Sequence, residues 1–220
     1  ARFFLMQDEA EALALLEARR VRFVVTDWDL SMAQLLVGYV GGNPGDYFET
    51  VRDGQGTGTI MKPAFTRTLY FRLGSRHAGS QGVSEYPGGR QQPVEALHHF
   101  RLLFETTARE PVRALRIYER VAGARLAVSG VPAGGLRLSY EWRTPEGQPH
   151  RWRVAVEARG GRAETVLPYS SELPSVGQQS AWRVEGADGR ATELRVSEGD
   201  VQSGATVTLD WPARAAVLSP

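Results

Sequence analysis

The chain has 220 residues, 42% hydrophobic and 23% charged, which supports one large or two small globular domains and argues against intrinsic disorder. Lys and Arg number 26 against 25 Asp and Glu, so the net charge is +1, and a nearly neutral balance argues against nucleic acid or an anionic lipid surface as an electrostatic partner. Cysteine is absent, which removes disulfides, thiolate catalysis and Cys-ligated zinc.

No apolar run reaches the roughly 20 residues that a membrane helix needs. The chain opens at Ala1 with Arg2-Phe3-Phe4-Leu5-Met6 rather than at a methionine, which reads as a piece of a longer protein. Asp8-Glu9-Ala10-Glu11 has the form of a helix-capping box, and Leu13 and Leu16 continue at helical spacing up to Arg19-Arg20. Val21 to Thr26 follows as a short strand. A second helix is expected from about Ser31 to Val40, ended by Gly41-Gly42-Asn43-Pro44-Gly45. Its apolar residues Met32, Leu35, Leu36 and Tyr39 form a stripe of the kind that faces a core. A short helix is expected near Asp46 to Val51, a loop over Asp53 to Gly58, a helix from Phe65 to Leu73, and a polar, Gly-rich loop from Gly74 to Pro93. From His98 the texture changes to strands, at Phe100 to Glu105 and Val112 to Glu119. Beyond the loop Gly130 to Gly135, alternation is clear: Leu136, Leu138, Tyr140 and Trp142 share one face, and Trp152, Val154 and Val156 return after the turn Pro145-Glu146-Gly147. Gly160-Gly161 and Asp188-Gly189 mark two further hairpins. The expected fold class is therefore α+β: a helix-rich mixed α/β core over residues 1–128, then a β-sandwich or barrel-like peripheral unit over residues 129–220.

Few constellations carry chemistry. Asp27-Trp28-Asp29 has the spacing of an Asp-x-Asp metal clamp, but Asp29 stands just before a helix, where its carboxylate can serve the free N–H groups, and Asp27 closes a strand. His98 and His99 are adjacent in an extended segment and point to opposite faces, while His77 and His150 lie in loops, so the four histidines do not make a metal site. The glycines at 54, 56 and 58 neither follow a strand nor open a helix, as a phosphate loop requires. Trp142, Trp152, Trp182 and Trp211 are able to stack on sugar rings, although alternating aromatics in a β unit are more often core. On the residues alone, no catalytic residue and no metal ligand is assigned.

Several stretches resemble a known family. Asp8-Glu-Ala-Glu-Ala-Leu through Val21-Arg-Phe-Val-Val-Thr-Asp27 and Trp28-Asp29-Leu-Ser-Met32 is similar to a segment of the catalytic subunit of oligosaccharyltransferase, archaeal type. The likeness continues through His98-His-Phe-Arg-Leu-Leu-Phe-Glu105, Val112 to Ala124, Val166-Leu-Pro-Tyr-Ser170 and Val196-Ser-Glu-Gly-Asp-Val201. The resemblance implies the C-terminal soluble domain of a membrane glycosyltransferase at the extracytoplasmic face of the cell membrane. Such an enzyme moves a glycan from a lipid-linked donor to the Asn of an Asn-x-Ser/Thr acceptor polypeptide. It further implies that the divalent metal (Mg or Mn), the lipid-linked oligosaccharide and the transmembrane region belong to a part outside this chain, which itself holds no cofactor, and that the family's Trp-Trp-Asp-Tyr-Gly signature lies upstream.

One family motif carries over by residue. Asp29-Leu-Ser-Met32-Ala-Gln-Leu-Leu36 resembles the Asp-x-x-Met form, and the resemblance implies that Asp29, Met32 and Leu36 border the pocket for the sequon Ser/Thr. Helical spacing puts these three positions along one side, with Leu35 and Tyr39 left to the core. The alternatives are a carbohydrate-binding module, which requires exposed coplanar Trp rings on the β half, and an extracytoplasmic scaffold. The single Asn, Asn43, precedes Pro44-Gly45, so the chain offers no sequon of its own.

Overall fold

The computed structural model describes residues 2–27, 29–53, 56–75, 77–85, 91–106, 115–173 and 178–211. Trp28, Gly54, residues 86–90 of the polar loop and residues 112–114 of the expected second strand lie outside them. The chain divides into two compact units, Ala1–Arg120 and Val121–Pro220. This boundary stands eight residues ahead of the 128/129 division read from the Gly-rich loop, so the strand Ala124–Ser129 falls in the second unit.

In the first unit α1 (Arg2–Leu5) leads to α2 (Glu9–Ala18). Asp8 caps α2 by accepting from the amides of Ala10 at 2.7 Å and Glu11 at 3.0 Å. Its other end closes with Arg20 in the left-handed region, at φ 54°, while Val21 N–H reaches back to Leu16 O. Then follow β1 (Phe23–Asp27), α3 (Leu30–Tyr39), α4 (Pro44–Tyr47), β2 (Phe48–Asp53), β3 (Gly56–Met61), α5 (Pro63–Thr66), α6 (Leu69–Gly74), β4 (Gly82–Glu85), β5 (Gln91–Val94), β6 (Phe100–Glu105) and β7 (Leu115–Arg120).

Several of these elements differ from expectation, β3 among them, which begins at Gly56 inside the expected loop 53–58. Residues 48–53 form a strand rather than a helix, paired antiparallel with β3 from Phe48↔Met61 to Asp53↔Gly56. Residues 65–73 do not form one helix. The Thr68 hydroxyl donates to Phe65 O at 2.6 Å and accepts from Phe71 N–H at 3.3 Å, ending α5 and capping α6. The expected loop 74–93 contains the hairpin strands β4 and β5.

β1, β7 and β6 form an antiparallel sheet in the order β1-β7-β6. One face buries Val24 and Thr26 of β1 with Tyr118 of β7. The buried carboxylate of Glu119 bridges two guanidiniums, those of Arg22 and Arg101, each at 2.7 Å. A separate cluster of Ala33, Val37, Phe48, Phe65, Tyr70, Phe71 and Val94 joins α3, β2, α5, α6 and β5.

The second unit contains β8 (Ala124–Ser129), β9 (Leu136–Arg143), β10 (Pro149–Val156), β11 (Arg162–Leu167), β12 (Glu172–Leu173), β13 (Gln178–Gln179), β14 (Trp182–Gly186), β15 (Ala191–Leu194), α7 (Glu198–Ser203) and β16 (Thr206–Asp210). A four-stranded antiparallel sheet runs β10-β9-β14-β15, and a three-stranded mixed sheet runs β11-β8-β16 with β16 parallel to β8. Neither closes into a barrel, and the whole is an α+β fold. The alternation on β9 holds: Leu136, Leu138, Tyr140 and Trp142 are all buried. Asp188-Gly189 makes the β14–β15 hairpin, and Gly160-Gly161 makes a tight hairpin turn across which Arg159 and Arg162 exchange two backbone hydrogen bonds, at the start of β11 in the three-stranded sheet. Both of those glycines have positive φ, 58° and 73°, in a turn too tight for side chains that must avoid that region.

Candidate functional site

The segment from Asp27 to Tyr39 holds all the residues assigned by motif. β1 ends at Asp27, which pairs with Leu115 of β7. Asp29 is half-buried and immediately precedes α3. Its backbone is held by the hydroxyl of Tyr70: Asp29 N–H donates to that oxygen at 3.2 Å, and the hydroxyl donates to Asp29 O at 3.1 Å. The same carbonyl accepts from Ala33 N–H at 3.0 Å, the first hydrogen bond of the helix.

α3 then divides into two faces. Ala33 and Val37 are fully buried in the aromatic cluster, and Leu36 packs partly against it. Met32 is 37% exposed, on the opposite side of the helix. Leu35 is 64% and Tyr39 85% exposed, which corrects the expectation that both belong to the core. The physical reason lies in the helix itself. Its sequence Leu-Ser-Met-Ala-Gln-Leu-Leu-Val-Gly-Tyr has no charge on any side, so two apolar arcs compete and period alone does not choose between them. Of the three assigned residues, Met32 faces outward, Leu36 lies at the border of the two faces, and Asp29 sits at the start of the helix.

Two side chains of β7 fix the surroundings. Arg116 of β7 donates to the carbonyls of Leu73, Gly74 and Ser75, at the C-terminal end of α6, and pairs with Glu105. Tyr118 donates to Leu73 O at 2.6 Å, and burial pushes its phenol well above the ordinary range, so it remains a donor. α6, which carries Tyr70, is thereby tied to the strand that also pairs with the end of β1. Tyr70 falls within the expected helix 65–73, and no local pattern marks it as the partner of Asp29.

Among the described residues no three His, Asp or Glu side chains are grouped to hold a metal ion. The Glu9 carboxylate accepts the backbone N–H groups of His98 and His99, a structural role at the start of β6. Trp142, Trp152, Trp182 and Trp211 are buried, at 6% exposure or less, and provide no exposed platform for a sugar ring. No helix of the described residues is long and apolar enough to cross a membrane.

No family model matches the chain, and no curated protein matches it in sequence. Solved structures do match. The oligosaccharyltransferase of Archaeoglobus fulgidus in complex with Zn and sulfate superposes with a TM-score of 0.72 at 16% identity, covering 95% of this chain and 36% of that one. The same enzyme tethered by a disulfide to an acceptor peptide containing the NVT sequon gives 0.72 at 16% identity, over 95% of this chain and 33% of that one. Archaeal oligosaccharyltransferase AglB from A. fulgidus, in complex with an inhibitory peptide and a dolichol-phosphate, gives 0.69 at 16% identity, over 94% and 32%. The chain spans about a third of the length of the enzymes it matches. At 16% identity the shared property is architecture, and the chain has the fold of roughly one third of an archaeal oligosaccharyltransferase.

Proposed function

We propose that this chain is the C-terminal globular domain of a membrane oligosaccharyltransferase and that it helps bind the Ser or Thr of an Asn-x-Ser/Thr acceptor. In this reading the chain works at the extracytoplasmic face of the cell membrane. The lipid-linked donor glycan and the divalent metal are held by the membrane part, and this chain supplies no catalytic residue. The observation that carries the reading is the outward position of Met32, one turn into a helix behind Asp29, on a fold shared with an enzyme solved with acceptor peptide and with dolichol-phosphate. The acidic and thioether groups play different parts. Asp29 opens the helix, and Met32 offers a soft apolar surface to the side chain two residues beyond the acceptor Asn. Leu36 closes the inner border of that surface. A buried methyl contributes about 0.8 kcal/mol, so contact with Met32 favours Thr over Ser by at most about fourfold.

The test is Met32→Ala in the full-length enzyme. Because Met32 is partly exposed, the fold stays intact, and acceptor binding weakens by roughly 1–2 kcal/mol while the Thr-over-Ser preference shrinks. Unchanged acceptor affinity in a folded variant removes the assignment. A carbohydrate-binding or purely scaffolding module is the competing reading, and the burial of four tryptophans speaks against its sugar-platform form.

A further inference from the structure

We propose that Tyr70 is a positioning residue for acceptor binding, its hydroxyl acting as the pin that sets the angle at which α3 presents Met32. The inference rests on the sequon reading above. Three observations carry it. Tyr70 is 2% exposed, its ring packed against Phe4 and Phe65 in the aromatic cluster, so the hydroxyl has a fixed location. That hydroxyl accepts from Asp29 N–H and donates to Asp29 O, so one side-chain atom restrains both polar groups of the residue that opens the helix. The carbonyl it holds is also the acceptor of the first helical amide, Ala33 N–H, so a shift of Asp29 re-aims the first turn, where Met32 sits.

The pin is anchored. α6, the helix of Tyr70, is fastened at its far end by Arg116 and Tyr118, both on β7. The strand that delivers the chain to Asp29 pairs with that same β7. The start of α3 is thereby located from two sides by one rigid frame. The ring alone does not accomplish this, because aromatic packing fixes where the cluster lies but not the direction of a neighbouring backbone. A hydrogen-bonding oxygen does.

The experiment is Tyr70→Phe in the full-length enzyme, beside Met32→Ala and the double variant. Phe keeps the ring contacts and removes both hydrogen bonds. The expected result is an acceptor KM raised about tenfold with kcat at saturating acceptor unchanged, and faster amide exchange confined to residues 29–37. The double variant weakens acceptor binding no more than Met32→Ala does, because both act on one contact. A raised KM for Met32→Ala with an unchanged KM for Tyr70→Phe overturns the positioning role and leaves the sequon reading standing. An unchanged KM for both variants removes the sequon reading, and the positioning role falls with it. Should Tyr70→Phe fail to fold, amide exchange of the unaltered enzyme decides: an Asp29 amide that exchanges as fast as an exposed loop amide overturns the pin.

Discussion

Arg72 is buried, with a side chain 5% exposed, and its ion pair with Glu9 is long, at 4.0 Å. It also donates to three main-chain carbonyls, those of Glu95 at 3.2 Å, Gln7 at 3.3 Å and Ala96 at 2.6 Å. Burial lowers its pKa, and the fields of Glu9, Glu95 and Asp8 oppose that fall. A guanidinium suits the position because its three nitrogens, spread over a plane, reach carbonyls in two separate segments, whereas an ammonium carries all its donors on one nitrogen. Arg72→Met leaves those carbonyls without their donor and lowers stability by about 3–5 kcal/mol, measured as the shift in urea midpoint, and Arg72→Lys recovers less than half of it. Asp188 shows the opposite, exposed case. Its carboxylate accepts from the side chain and backbone N–H of Arg190 and from the Trp211 indole, and the Arg190 side chain holds its pKa below the ordinary 3.8. A depressed carboxyl contributes stability above its unfolded pKa and loses it as pH falls. The thermal midpoint therefore drops more steeply between about pH 5 and about pH 3 in the unaltered chain than in Asp188→Asn.

α3 is the element on which packing and function divide. Val37 is fully buried and Leu35 and Tyr39 are not, so the two faces respond oppositely to truncation. Val37→Ala costs about 2 kcal/mol of stability, whereas Leu35→Ser with Tyr39→Ser leaves the free energy of urea unfolding within about 0.5 kcal/mol of its starting value. Equal losses from both changes mean that the exposed face is packed in solution. The same helix shows where the amino-acid sequence is legible and where it is not. β9 was readable because its alternation puts four large apolar residues on one side and Arg137, Ser139, Glu141 and Arg143 on the other. The N-terminal ends of α2 and α7 are marked by Asp8 and by the reciprocal Ser197–Asp200 box. β3 was not readable, since Gly-Thr-Gly-Thr-Ile-Met is mostly exposed and lacks an apolar alternation. The position of α3 along the chain is legible but its rotation is not, because nothing charged marks its outer face. For the candidate site, Asp29, Met32 and Leu36 were visible as a motif, while Tyr70 was not, being 41 residues from Asp29 in the chain and placed there only by tertiary structure.

At the scale of the molecule, the second unit has what an independently folding domain needs. Val121–Pro220 contains its own sheets and a core centred on Tyr140, Trp152, Tyr169 and Trp182, each at 1% exposure or less. Two of its buried polar side chains are matched inside the unit, whereas the Trp142 indole N–H is buried without a hydrogen-bond partner among the described residues. The Trp182 indole donates to Tyr169 O at 2.9 Å and the Tyr140 hydroxyl to Ser170 O at 2.9 Å. Close approaches lock the packing, for a Cβ added at Gly186 would stand only 2.5 Å from the Trp211 ring and one added at Gly135 only 2.2 Å from Val156 O. Such a core stabilises by many rigid aromatic contacts rather than by a few ion pairs, since the pairs on its surface, such as Arg151–Glu141, are exposed and contribute little. Residues 121–220 produced alone are therefore expected to give a near-ultraviolet circular-dichroism signal from fixed tryptophans and a single cooperative urea transition. Trp152→Ala, which empties the centre of that core, removes about 3–5 kcal/mol, a large part of what a domain of this size possesses. A fragment with native-like far-ultraviolet signal but no near-ultraviolet signal and a gradual transition shows instead that the aromatic core does not set without the rest of the chain.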